Sequence, residues 1–311
     1  MNITDKLYRH LFIACLTLML GSFNAQAKKT QLPGSLVSSA WLEKHIDTVT
    51  VLDIRADTDS FRVEGHIPTA NLIMLTQIRA SRIDNGQTIP GMVVPLASFE
   101  ALMQKNGVSN NKPVVITYPD QAVVLATRLY WTLKYYGHKQ IALLDGGNRK
   151  WKVDKLPITH TVSTSYPGKF KAVAQPKMLA TKAEVFKASS EQSSQILDAR
   201  SLPFFLGKTK QSSVQKAGHI PNASLLPQSM MVDKDGNSSF SSTETLTAIL
   251  KSLNINQSAP SITYCNSGLT ASGPWFVMHE LLGNKETRLY DGSMLEWAVD
   301  DEMKVETGDG Q

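Results

Sequence analysis

The chain has 311 residues, 42% of them hydrophobic, 19% charged and 7% aromatic, with 19 Gly and 14 Pro. That balance excludes a collagen-like or disordered chain, and two cysteines exclude a disulfide-stapled scaffold. The formal charge of +5 is spread along the chain without a basic run or aromatic–basic interleaving, which argues against a nucleic-acid partner.

In chain order, the first feature is an export signal. Lys6 and Arg9 precede an apolar run over residues 11–20, and Ala25-Gln26-Ala27 supplies a small-x-small cleavage signature. The run is too short for a membrane span, which needs about 20 residues. The expectation is a signal peptide at 1–27, a bacterial-type periplasmic location and no stable membrane insertion after cleavage. Cleavage would remove Cys15 and leave Cys265 as the only cysteine. A free thiol in an oxidising compartment is a liability that invites a chemical reason for its presence.

Short apolar runs at 50–54, 114–118 and 141–144 predict strands, and residues 96–106 and 123–136 predict helices. Residues 159–176 hold Pro167 and Pro176 with little periodicity and read as a linker. Strands then return at 194–197, 261–264 and 287–290. Strands alternating with helices predict an α/β fold with a mostly parallel sheet flanked by helices on both faces.

The two halves are one unit written twice. Val51-Leu52-Asp53-Ile54-Arg55 returns as Ile196-Leu197-Asp198-Ala199-Arg200, and Gly65-His66-Ile67-Pro68 returns as Gly218-His219-Ile220-Pro221. Ile116-Thr117-Tyr118 returns as Ile262-Thr263-Tyr264, and the following stretch aligns without a gap through Asp145-Gly146 with Asp291-Gly292 and Trp151 with Trp297. The expected division is a first domain at 28–158, the linker at 159–176 and a second domain at 177–311.

Only one copy carries a nucleophile. Cys265 follows an apolar strand and precedes a helix, the place where open parallel sheets bind ligands. Free N–H groups of the loop and the positive end of the helix both favour a thiolate there. The matching residue in the first copy is Pro119, which has neither nucleophile nor N–H. Asp198 and Arg200 end a strand beside this loop. Arg200 would either bind an anionic donor or, with Asp198, brace the loops as a buried pair; the first copy keeps Asp53 and Arg55 without any nucleophile, which favours a structural role for the aspartate. His219 sits in a motif present in both copies and reads as a turn-shaping residue. A phosphatase would need an arginine where Ala271 stands, and a thiol protease would need a histidine placed near Cys265. No His/Cys/Asp cluster has metal-ligand spacing and no Gly-rich dinucleotide loop follows a strand, so neither metal nor organic cofactor is expected.

The tandem repeat, the paired D-x-R strands, the paired GHIP motifs, the loop from Cys265 to Thr270 and Asp291-Gly292 together resemble a tandem-domain rhodanese, the family of thiosulfate and 3-mercaptopyruvate sulfurtransferases. The resemblance implies an inactive first domain and a catalytic second one. It further implies that Cys265 takes a sulfane sulfur from a small anionic donor, as a persulfide, and passes it to a thiol or cyanide acceptor. Loop residues Asn266, Gly268, Leu269 and Thr270 would hold the donor and persulfide with Arg200, and Ser267 would relay a proton. In mercaptopyruvate-type relatives a first-domain histidine joins the catalytic set, which maps onto His66. Those loops read Cys-Gly-Ser/Thr-Gly-Val-Thr, so Asn266 and Leu269 are departures, and the second arginine that many relatives carry after D-x-R is absent unless Lys208 or Lys210 substitutes. A different class of function, a non-catalytic persulfide carrier or binding module, stays open beside the enzyme.

Overall fold

A computed structural model describes residues 30–84, 86–162, 165–233 and 238–308. The signal expected at 1–27 lies outside the described residues. In the first half the chain runs through β1 (Leu36–Val37), α1 (Ser39–His45), β2 (Thr50–Arg55), α2 (Thr58–Val63), β3 (Asn71–Met74), β4 (Arg79–Asp84), β5 (Gln87–Val93), α3 (Leu96–Lys105), β6 (Val114–Thr117), α4 (Val123–Tyr135), β7 (Ile141–Leu144) and α5 (Gly147–Val153). The second half holds α6 (Lys182–Glu191), β8 (Gln195–Asp198), α7 (Leu202–Phe205), β9 (Ala223–Leu225), α8 (Thr243–Ser252), β10 (Ser261–Tyr264), α9 (Ser272–Phe276), a π-helical turn (Val277–Leu281), β11 (Thr287–Leu289) and α10 (Ser293–Trp297).

The two main sheets are parallel throughout, ordered β1-β7-β6-β2-β3 and β11-β10-β8-β9. β2, β6 and β10 are buried at every position, as central strands covered on both faces must be. The duplication read from sequence is therefore a duplication of topology. Even β1 has an echo, since a single parallel bridge from Leu179 to Leu289 repeats the pairing of Leu36 with Leu143.

The halves differ in one excursion. After β3 the first half sends out the antiparallel β4–β5 hairpin, whereas among the described residues the second half has a bridge between Val232 and Phe240 at the corresponding place. Both excursions cross to the other half in the same way. The Val93 amide donates to Asp291 at 2.6 Å, and the Phe240 amide donates to Asp145 at 2.9 Å.

One apolar core runs through the boundary. Tyr130 and Trp131 of α4 share a buried cluster with Trp275 and Phe276 of α9, and the Tyr130 and Phe276 rings meet edge to face at 4.9 Å. Burial of each such ring is worth about 1.5–3 kcal/mol, so the halves are held as one body. The segment read as a linker is also bound down: Thr159 bridges His66, Gly168 donates to the Gln104 carbonyl at 2.7 Å, and Phe170 is buried.

Candidate active site

Strand register fixes where the cysteine lies. β10 pairs with β8 so that Tyr264 stands beside Asp198, and Cys265 follows at the carboxyl edge of the sheet. The Tyr264 hydroxyl donates to Asp198 at 2.6 Å and accepts from the Ile220 amide at 3.1 Å. Burial, reinforced by the Asp198 charge, pushes the Tyr264 pKa well above the usual phenol value, so it remains a donor.

Between Cys265 and α9 the chain makes an irregular loop. The helix does not begin beside the cysteine: α9 opens at Ser272 and lasts five residues before becoming a π turn. A helix dipole acts mainly within its first turn, so the anion-favouring groups here are loop amides rather than the helix end. The amides of Cys265 and Gly268 both donate to Ser293 Oγ at 3.1 Å, and the Ser293 hydroxyl donates to the Tyr290 carbonyl at 2.8 Å. The amides of Asn266, Ser267, Leu269 and Thr270 have no protein acceptor among the described residues. From below, Met294 and Leu295 donate to the carbonyls of Cys265 and Asn266 at 3.1 and 2.9 Å. Ser293 holds this position with φ +50, a conformation that costs a non-glycine residue about 1–2 kcal/mol. The cost is set against three hydrogen bonds to one hydroxyl. Cys265 is 2% exposed.

Gly268 is required by its neighbours. Its φ is +71, and a Cβ there would lie 2.3 Å from an Asp291 carboxylate oxygen. That close approach lets Arg128, a fully buried side chain of α4, donate to the Gly268 carbonyl at 3.0 Å and to Asp291 at 2.5 Å. The same guanidinium lies over the Trp131 ring at 4.9 Å. Arg79 of β4 reaches the next residue, donating from Nη2 to the Ser267 carbonyl at 2.7 Å and to the Ser267 hydroxyl at 2.9 Å. Two first-half arginines thus grip the second-half loop. A third, Arg82, pairs with Glu296 of α10, whose pKa burial raises above the ordinary carboxylate value.

Arg200 forms a forked pair with Asp198, with contacts of 2.6 to 3.1 Å, and donates to the Gly218 carbonyl at 2.8 Å. Arg55 repeats both contacts on Asp53 and the Gly65 carbonyl. The pair is a device of the fold in both halves. Arg200 alone adds a reach toward the loop, 3.4 Å from Asn266 Oδ1, and with Asn266, Thr270, Ser201, Phe204 and Gln228 it lines a cavity of about 240 Å³. Lys208 and Lys210 do not line that cavity, and Lys210 donates instead to the Val214 carbonyl at 2.8 Å. Leu269 is half-buried, its carbonyl accepting from Ser272.

His66 is not brought to the cysteine. Its ring stacks on Phe61 at 3.6 Å with Nδ1 3.1 Å from the Phe61 carbonyl, and its backbone pairs with Thr159. His219 adopts the same pose on Phe205, 3.7 Å ring to ring and 2.7 Å to the carbonyl. Among the described residues no hydrogen bond or ring contact joins His66 to the loop from Cys265 to Thr270. Both histidines close the turn before the edge strand, β3 or β9, that pairs with the D-x-R strand of their sheet. What the first half contributes at the loop is Arg79 and Arg128, which motif reading passes over. Arg128 carried one available signal: it is a charge inside an otherwise apolar helical run and must find a partner when buried. Ser293 carried none, since a serine after Asp-Gly is common in turns.

The Rhodanese-like domain model matches residues 38–154 and again 181–300. The chain is 30% identical over 276 residues to "Sulfur carrier protein TtuD" of Thermus thermophilus, covering 85% of this chain and 94% of that one. It is 31% identical over 282 residues to a "Putative thiosulfate sulfurtransferase" of Mycobacterium leprae, covering 88% and 98%. Among solved structures it is similar to SseA of Escherichia coli, described as a 3-mercaptopyruvate sulfotransferase, with TM-score 0.74, 26% identity and coverage of 84% and 98%. No helix of the described residues is long and apolar enough to cross a membrane. Matched in both halves and aligned along most of its length with such relatives, the chain belongs to the tandem-domain rhodanese family of sulfurtransferases.

Proposed function

We propose that the protein moves a sulfane sulfur from a small anionic donor to a thiol or cyanide acceptor through a persulfide on Cys265. The observation that carries the reading is the Cys265 loop itself, a cysteine at the carboxyl edge of a parallel sheet, with four loop amides left without acceptors among the described residues. In the first step the Cys265 thiolate attacks the donor's outer sulfur. The new S–S bond forms as the donor's bond to that sulfur breaks, and the electron pair leaves on sulfite or on the enolate of pyruvate. An enolate takes up one proton, for which the Ser267 hydroxyl stands two residues beyond the cysteine. In the second step an acceptor thiolate or cyanide attacks the outer sulfur and the Cys265 thiolate departs. Two half-reactions on one enzyme group give ping-pong kinetics.

Asn266 and Ser267 are neutral where a dianionic donor would be served by basic residues, which favours 3-mercaptopyruvate as donor, with Arg200 Nη1 at the cavity edge beside Asn266. Initial rates with thiosulfate and 3-mercaptopyruvate, each followed with cyanide and with a dithiol, test the assignment. Mercaptopyruvate turnover that vanishes in Cys265→Ala is the expected result; unchanged turnover in that variant overturns it. The near-complete cover over Cys265 and the likeness to a sulfur carrier favour a second reading, in which the persulfide is stored and handed to a protein. A stable adduct of about 32 Da without turnover to small acceptors is its signature. We further propose export directed by residues 1–27, tested by whether the protein recovered from the periplasm begins at Lys28.

A further inference from the structure

We propose that Arg79, carried by the β4–β5 hairpin of the first half, is the positioning residue for Ser267 and thereby for sulfur transfer at Cys265. This rests on the persulfide reading above, and concerns which group sets the loop for reaction.

The guanidinium is built into place. Nε donates to the Gly91 carbonyl at 3.0 Å across the hairpin, and Nη2 donates to both oxygens of Ser267. Gly91 makes room for it: a Cβ at that position would lie 2.0 Å from Nη2. The hairpin that carries it is anchored at the same end, where Val93, the residue paired with Arg79, donates to Asp291, the carboxylate that also holds Arg128. Arg79 therefore reaches the loop from a braced strand rather than from a free side chain. Nη1 makes no protein hydrogen bond among the described residues and is not sealed from solvent.

An arginine has donors and no acceptor. With Arg79 occupying a lone pair of the Ser267 oxygen, the hydroxyl proton of Ser267 must point away from the guanidinium, which frees it for the sulfur or for the departing enolate. A histidine in this place would accept as well as donate and would titrate near neutrality; Arg79 does neither. Its charge is electrostatically coupled to Cys265 and Asp291, while burial and the neighbouring Arg128 press its own pKa below the usual guanidinium value. The first half, lacking a nucleophile, thus keeps a part in the chemistry through one strand.

The test is a double-mutant cycle on the full chain with 3-mercaptopyruvate and a dithiol acceptor. Arg79→Gln is expected to lower kcat about 10–100-fold with KM changed less than about threefold, the pattern of a lost transition-state interaction. Ser267→Ala is expected to cost a similar factor, and the double variant no more than Ser267→Ala alone, because the two act as a unit. Arg79→Lys, which keeps charge but not the fork, should recover part of the rate. The same set is read without any donor through the rate of Cys265 alkylation by iodoacetamide at pH 7, which should fall several-fold in Arg79→Gln. Multiplicative losses in the double variant, or a wild-type kcat in either Arg79 variant, overturn the proposal. Should Arg79→Gln not fold, the cycle is run with Arg79→Lys, where a rate loss that disappears in the Ser267→Ala background supports it and one that persists overturns it. A wild-type chain that forms no persulfide while its alkylation still responds to Arg79 would refute the function and leave the positioning intact.

Discussion

The loops after β6 and after β10 occupy the same place in two copies of one fold, and they part within a few residues. After β6, Pro119 is followed by a tight turn in which the Ala122 amide donates to the Pro119 carbonyl at 3.2 Å, and α4 begins at Val123. Val123 aligns with Leu269, yet α9 begins only at Ser272. The first turn of the helix is undone in the second copy, and the chain from Cys265 to Ala271 stays an irregular loop. Beneath the loop, Gly147 in the first copy and Ser293 in the second share nearly the same backbone, with φ +54 and +50. Only the serine has a hydroxyl with which to gather two loop amides. The second loop thus differs from the first by three local changes: a cysteine, a delayed helix and a serine in a glycine's conformation.

That comparison can be broken most directly by exchange. Cys265→Ser is expected to remove transfer by roughly 10³-fold or more. Adding Pro119→Cys to that variant should restore nothing, because the first loop has a glycine, Gly147, where Ser293 braces the second; cyanide-dependent product formation above background would show that position alone suffices. Next in size, Arg128→Met strands Asp291 as a buried charge and should cost about 3–5 kcal/mol in urea unfolding. A loss below about 1 kcal/mol would mean that the halves do not depend on this pair. Ser293→Gly makes the second copy resemble the first. It relieves backbone strain but loses the cap on Cys265 and Gly268, so the melting temperature should move little while kcat falls about tenfold or more. Unchanged kcat would remove Ser293 from the comparison.

The smallest effect concerns pH. Burial alone would raise the Glu280 pKa, but His279, Lys134, Tyr130 and Lys285 hold it below the ordinary glutamate value of 4.5. A carboxyl with a depressed folded pKa contributes stability above its unfolded pKa and loses it as pH falls. Between about pH 4.5 and 3 the wild type should therefore lose stability more steeply than Glu280→Gln, as read by denaturant midpoints. Parallel slopes would show that the Tyr130–Glu280 contact, made across the boundary at 2.7 Å, does not couple the halves electrostatically.

Much of this was open to reading along the chain. The parallel strands, their repetition and the asymmetry of Cys265 against Pro119 follow from local runs and internal comparison. The bounds shift by a residue, as where the strand read at 194–197 lies at Gln195–Asp198. What escaped has a common cause. β4 and β5 bury few of their side chains, so no apolar alternation marks them, and their value lies in what they touch some 190 positions away, as Arg79 touches Ser267. The described residues of 159–176 lack periodicity yet Thr159, Gly168, Val173 and Gln175 are held through backbone bonds, which leave no trace in residue type. His66 belongs to a motif kept in both copies, which marks the shared turn, and its ring face and Nδ1 both meet Phe61.

By itself the sequence determined the repeated α/β unit, because strand and helix periodicities are local, and it determined which copy holds the nucleophile, because a thiol cannot be replaced by proline. Only the tertiary structure decided which charges attend that thiol. Electrostatic and hydrogen-bond partners are chosen by proximity in space, and it is the packing of α4 on α9 and of the hairpin on the Cys265 loop that brings Arg128 and Arg79 to it.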